Sequence, residues 1–102
     1  MRGEVWTIAA QGNLSKPRPA VIVQSDSAET SRTVVVCPLT SVGGLGGDYI
    51  SPTESNGLLK PSRPMATQVA AVFKSRLGER VGKLDDGEMS LVSDELRMAL
   101  DL

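Results

Sequence analysis

There is no histidine in these 102 residues. That absence removes paired-histidine ribonuclease chemistry, Ser–His and Cys–His nucleophiles, and most zinc sites. A single cysteine, Cys37, excludes an internal disulfide framework and makes the cytosol the expected compartment. Aromatic residues are scarce, only Trp6, Tyr49 and Phe73, so base stacking on aromatic platforms is poorly supplied. No apolar run approaches the ~18 residues of a membrane span. The opening stretch "MRGEVWTIAAQGNLSK" lacks the long apolar core of a secretory leader. No membrane partner is expected.

What is present fits one folded domain, residues 1–102. The chain is 40% hydrophobic and 23% charged, which excludes a disordered, highly charged sequence. Net charge is −1, but it is unevenly spread. Residues 85–102 hold six acids (Asp85, Asp86, Glu88, Asp94, Glu95, Asp101) and one base, Arg97; residues 1–84 keep ten bases and six acids. A mildly basic body is suited to phosphate, and an acidic tail is not.

Short β-branched runs dominate the body. "GEVWTI", "PAVIVQ" and "RTVVVCPL" read as strands, the last two hydrophobic enough to be covered on both faces. "DYIS" reads as a short strand, and "MATQVAAVFKS" and "ERVGKL" as two more. "SDSAETS" reads as a loop or one helical turn. "SVGGLGGDY" and "PTESNGLLKPSRP" are turn-rich. The period then changes: Met89, Val92, Leu96 and Ala99 recur at helical spacing, with Leu91, Leu100 and Leu102 widening the face. Asp85 and Glu88 resemble a capping box at the start of that helix. Six or seven short strands followed by one helix give a mainly β class, a small, strongly bent sheet or barrel.

Few residues offer chemistry. Cys37, inside "VVVCPL", reads as a small buried apolar side chain. The glycine segment is followed by no Lys-Ser or Lys-Thr and is no phosphate-cradling loop. Met65, Met89 and Met98 are expected in the core. The scattered carboxylates lack metal-ligand spacing, so no metal and no other cofactor is expected. Two stretches remain, both at strand ends, where sites are commonly built. "KPRP" holds Arg18 between Pro17 and Pro19, and "PLTS" carries Thr40 and Ser41 out of a strand. An arginine fork and a hydroxyl pair could converge on a phosphate.

Six segments, "MRGEVW", "KPRPAVIVQSD", "VVVCPLTS", "GLLKPS", "TQVAAVFKSRLGERVGKL" and "EMSLVSDELRMAL", resemble in order the MazF/PemK toxin endoribonucleases. The resemblance covers nearly the whole chain. It implies an SH3-like small β-barrel with an accessory short sheet and a C-terminal α-helix, assembled as a homodimer. It also implies metal-independent, sequence-specific cleavage of single-stranded RNA through 2′-hydroxyl attack, and inhibition by a cognate antitoxin with an acidic, flexible C-terminal segment. The family's catalytic arginine falls on Arg18 and its threonine on Thr40. Candidate RNA contacts are Ser41, Gln68, Lys16, Asn13 and Lys74. Where many members carry an acid before the glutamine, this chain has Thr67. A guanidinium is a poor base, so the proton acceptor is open among Glu4, Glu29, Asp48 or no side chain. Two other readings stand beside this one. A CcdB-like gyrase-inhibiting toxin would ask for a tryptophan near the C-terminus, and the only one here is Trp6. A non-catalytic SH3-like binding module would ask for an aromatic-lined groove.

Overall fold

The computed structural model describes residues 1–9, 17–41 and 47–102. Two candidate RNA contacts, Asn13 and Lys16, lie outside the described residues, as do positions 42–46 of the glycine segment. The elements run β1 (Glu4–Ile8), β2 (Arg18–Ile22), β3 (Thr33–Ser41), β4 (Ser62–Pro64), β5 (Ala70–Phe73), β6 (Leu77–Lys83) and α1 (Asp86–Leu100). Three 3-10 turns intervene, at Asp26–Ala28, Ala66–Gln68 and Lys74–Arg76. "SDSAETS" thus contains one helical turn. "DYIS" contributes only a single bridge, Ile50 to Ser62. The expected long strand "MATQVAAVFKS" is cut down to β5, with 3-10 turns taking Ala66–Gln68 before it and Lys74–Arg76 after it. Conversely, β4 lies inside the turn-rich "PSRP"; its proline, Pro64, is tolerated because it ends a three-residue edge strand.

All the pairings are antiparallel, and the sheet order is β4-β3-β2-β1-β6 with β5 also on β3. β3 is the spine. One of its edges meets β2; the other is shared by β5, over Thr33–Val36, and β4, over Leu39–Ser41. Among the described residues no pairing joins β4 or β5 to β6, so the sheet is open rather than a closed barrel. The outer edge of β3 is divided between strands of three and four residues, separated by the Ala66–Gln68 turn, which leaves no long edge to close.

β2 and β3 are covered on both faces, as their unbroken hydrophobicity implies. Alternate side chains point to opposite faces. Val21, Val23, Cys37 and Leu39 join Val5, Leu84 and the helix residue Val92 in one cluster; Ala20, Ile22, Val34 and Val36 form a second, with Trp6, Ile8, Val72 and Leu77 against it. Cys37 is fully buried, and burial pushes its thiol up to about 11, so it is a neutral core side chain. α1 begins with a complete capping box: Glu88 N donates to Asp85 Oδ1 at 2.7 Å and Asp85 N to Glu88 Oε1 at 2.9 Å. Such a cap stabilises a helix by about 1 kcal/mol. Met89, Leu91 and Leu96 pack on the first cluster. Met98, expected in the core, is 79% exposed, because it lines an open groove between α1 and the Ala66–Gln68 turn; Leu100 and Leu102 are exposed as well.

Candidate active site

The strand boundaries decide where the chemistry sits. β2 starts on Arg18 itself, with its guanidinium side chain exposed, and β3 ends on Thr40 and Ser41. β2 pairs with β3 through Ile22–Val36, Val21–Cys37 and Ala20–Pro38. The pairing ends there, and Arg18 and Thr40 stand at the adjoining ends of the two strands. Leu39 alternates onto the face of the first cluster, and Leu58 and Val81 of that cluster lie beside the same strand ends. On the far edge of β3, Thr40 pairs with Arg63 and Ser41 with Ser62.

Arg18, Thr40 and Ser41 line one cleft of about 530 Å³. Pro17 and Pro19 flank the arginine in the lining, and Thr7 and Leu39 complete the strand side. The opposite wall is Gly57, Leu58, Leu59 and Lys60, with Ser62 and Val81 at its base. The charged groups of this lining are Arg18 and Lys60; no carboxylate is among its described residues. What the arrangement offers is therefore two cations and four hydroxyls around a concave surface, a set matched to phosphate oxygens.

The wall is held by a buried asparagine that the sequence reading passed over. Asn56 is fully buried and accepts from Thr53 N at 2.9 Å and Leu58 N at 3.0 Å. Its amide donates to Ser51 O at 2.9 Å and to Glu88 Oε2 at 2.8 Å, tying the loop to the helix cap. Here glycine is required twice. Gly57 has φ +68°, and a Cβ there would lie 2.2 Å from Val81 O; one on Gly82 would lie 2.5 Å from the Asn56 backbone. The β1–β6 pair shifts register on either side of Trp6, so β6 bulges where the loop crosses it. "SNG" carries the usual turn signal, but nothing in it shows that the loop ends in a functional wall.

The other candidates are not brought to this cleft. Lys74 lies by the start of β3, where its Nζ contacts Glu29 Oε1 and Thr30 O, each at 2.7 Å. Seven residues of strand separate Thr33 from Thr40, at most roughly 23 Å at ~3.3 Å each. Gln68 is exposed at the end of the Ala66–Gln68 turn and is not in the lining; Thr67, in the same turn, faces a separate groove with Glu95 and Met98. Of the carboxylates considered as bases, Glu4 accepts from Trp6 Nε1 and pairs with Arg80, and Glu29 pairs with Lys74. Asp48 is exposed, and none of the three is in the lining. Nor do positions 10–16 ("AQGNLSK") or 42–46 ("VGGLG") contain an acid.

Two hydroxyl-bearing strand ends around an arginine, on a sheet backed by one C-terminal helix, have counterparts among known proteins. A family model described as PemK-like, MazF-like toxin of type II toxin–antitoxin system matches residues 1–100. The chain belongs to this family. A probable endoribonuclease MazF of Mycolicibacterium smegmatis is 37% identical over 92 residues, covering 86% of this chain and 84% of the relative. Endoribonuclease MazF6 of Mycobacterium tuberculosis is 31% identical over 93 residues, covering 86% and 82%. Among solved structures, an endoribonuclease in complex with its cognate antitoxin from a mycobacterial species superposes with a TM-score of 0.76 at 21% identity, covering 100% of this chain and 93% of the other. The Mycobacterium tuberculosis toxin MazF-mt6 gives 0.75 at 20% identity, covering 97% of both. Those two likenesses establish that this MazF-like chain shares their fold.

Proposed function

We propose that this MazF-like chain is the toxin of a type II toxin–antitoxin pair and an endoribonuclease that cleaves single-stranded RNA at short sequence motifs. The observation that carries the reading is that Arg18 and Thr40, at the ends of β2 and β3, line one cleft with cations and no carboxylate among its described residues. The 2′-hydroxyl of the substrate attacks the adjacent phosphorus. The new P–O2′ bond forms as the P–O5′ bond breaks, the 2′ proton passes to water and the 5′ oxygen takes one up. The ends are a 2′,3′-cyclic phosphate and a 5′-hydroxyl. Charge accumulates on the five-coordinate phosphorus, and a cation already in place lowers that barrier without reorganising. Pro17 and Pro19 fix the backbone on both sides of Arg18 and so hold its guanidinium at that point. Thr40 donates its hydroxyl proton to a phosphate oxygen.

Metal independence is part of the proposal. Hydroxyls and two cations are poor ligands for a divalent ion, which prefers carboxylates or imidazoles. The family carries over the rest: an SH3-like arrangement of one domain over residues 1–102, a cytosolic location, and a homodimer in which Met98, Leu100 and Leu102, all exposed, are candidates for burial against a second copy. The antitoxin's acidic, flexible segment would compete with RNA for the same cations. Incubation with a long RNA tests the reading. Cleavage should persist in EDTA and leave 5′-hydroxyl ends; 5′-phosphates, or arrest by chelation, defeat the mechanism. With no carboxylate or imidazole acting as base, log rate should climb with pH by about one per unit from 6 to 9. A bell-shaped profile would point to a titrating side chain instead.

A further inference from the structure

We propose that Leu59 and Lys60 form a second RNA subsite beside Arg18 and Thr40, Lys60 on the phosphate next to the scissile one and Leu59 against a nucleobase, at a position set by Asn56. The proposal rests on the endoribonuclease reading. Three observations support it. The first is exposure without a partner. Leu59 is 94% exposed in the cleft wall, and Lys60 makes no ion pair among the described residues.

The second is that this pair sits on a segment clamped at both ends. Leu58 N donates to the buried Asn56 Oδ1, and the Ser62 hydroxyl donates to Lys60 O at 2.8 Å. Ser62 is itself buried and paired with Ser41 on β3. The wall is thereby tied through β4 to the strand that carries Thr40, and through Asn56 and Glu88 to α1. A solubilising lysine and a stray leucine would not need both anchors. The third is chemistry. RNA presents alternating anionic and apolar surfaces, phosphate and base face, and a cation beside an apolar side chain complements one nucleotide step. No aromatic platform is among the described residues of the lining to do that work.

The test uses the full-length chain with two RNAs: one whose scissile nucleotide carries a 2′-deoxyribose, which binds without being cut and reads affinity, and the all-ribose RNA, which reads KM and the cleavage map. Lys60→Gln should weaken binding and lower the slope of log K against log salt by about 0.7, the share of one phosphate contact on a single strand. Leu59→Ala should blunt discrimination between preferred and disfavoured cleavage motifs by about tenfold. Arg97→Gln, on α1, should do neither. Asn56→Asp sets a carboxylate against Glu88, so its loss should fall mainly on KM. Adding Glu88→Gln should restore part of it, since an amide at 88 keeps the cap and donates to the new carboxylate, while the Asn56 bond to Ser51 O stays lost. An unchanged salt slope in Lys60→Gln with an unchanged cleavage map in Leu59→Ala overturns the subsite, while RNA cleavage by the wild type stands. A wild type that binds no RNA defeats the endoribonuclease reading, and the subsite with it.

Discussion

The strand-end cleft carries Arg18 and Lys60 and no described carboxylate, whereas a groove of about 460 Å³ between the Ala66–Gln68 turn and α1 carries Glu95, Met98, Met65 and Pro64 and no cation. The two are similar in size and opposite in character. Their difference comes from the chain's uneven charge. The acids of residues 85–102 lie on or just beside α1, and none of them is in the described lining of the cleft at the ends of β2 and β3. A polyanion is drawn to the first surface and turned away from the second. The acidic tail therefore keeps its charge away from the cleft, and a net charge of −1 is no obstacle to binding RNA.

The largest change should follow from Arg18. Lysine keeps the charge but loses the planar fork that grips two oxygens. Arg18→Lys should cut single-turnover cleavage by ~10²–10³, by analogy with the loss of one oxyanion-hole donor. Arg18→Ala should do at least as much. Neither should move the melting temperature, because Arg18 is an exposed first residue of β2. A fully active Arg18→Lys variant would show that the cleft needs only charge, which Lys60 already provides. Thr40→Ala should come next, at about 10- to 100-fold, the value of a hydrogen bond to a charged group. If its loss exceeds that of Arg18→Ala, the hydroxyl and not the guanidinium leads.

Much of this contrast was legible in the sequence. The positions of Arg18 and Thr40 followed from turn chemistry and β-branched runs, and the helix from its period and cap. The open sheet was not legible, because strand order depends on long-range pairing that local pattern does not encode. β4 was hidden behind Pro61 and Pro64, which usually mark turns. Lys74 reads in the sequence as one more cation for RNA, and its pairing with Glu29, forty-five residues away, was not legible there. Asn56 was missed for the same reason: its worth lies in Glu88, thirty-two residues on.

A smaller effect should come from the acidic groove. Glu95→Lys reverses a charge there without touching the cleft. Single-turnover cleavage should stay within about twofold, as surface substitutions usually permit. RNA affinity should rise only slightly and lose even that at high salt. A tenfold gain in affinity would mean that RNA crosses α1, and the two surfaces would no longer be distinct.

The smallest effect should come from a carboxylate that belongs to neither region. Asp26 accepts from Arg2 N at 3.0 Å and from the terminal ammonium at 3.1 Å. The Arg2 backbone donor, then that ammonium, holds its carboxyl below the ordinary aspartate value. A folded-state pKa below the unfolded one means that the native state favours the charged form. Its stabilisation is complete above the unfolded value and is lost as pH falls through the folded one. Because the side chain is exposed, the effect is small and screened by salt. Asp26→Asn should therefore lower the melting temperature slightly at pH 7 and not at all at the acid end, with cleavage unchanged throughout. A gap between the two proteins that widens toward acid would reverse the sign. A loss of cleavage would mean that the edge where Met1 meets Asp26 reaches the cleft, ending its use as a control for both surfaces.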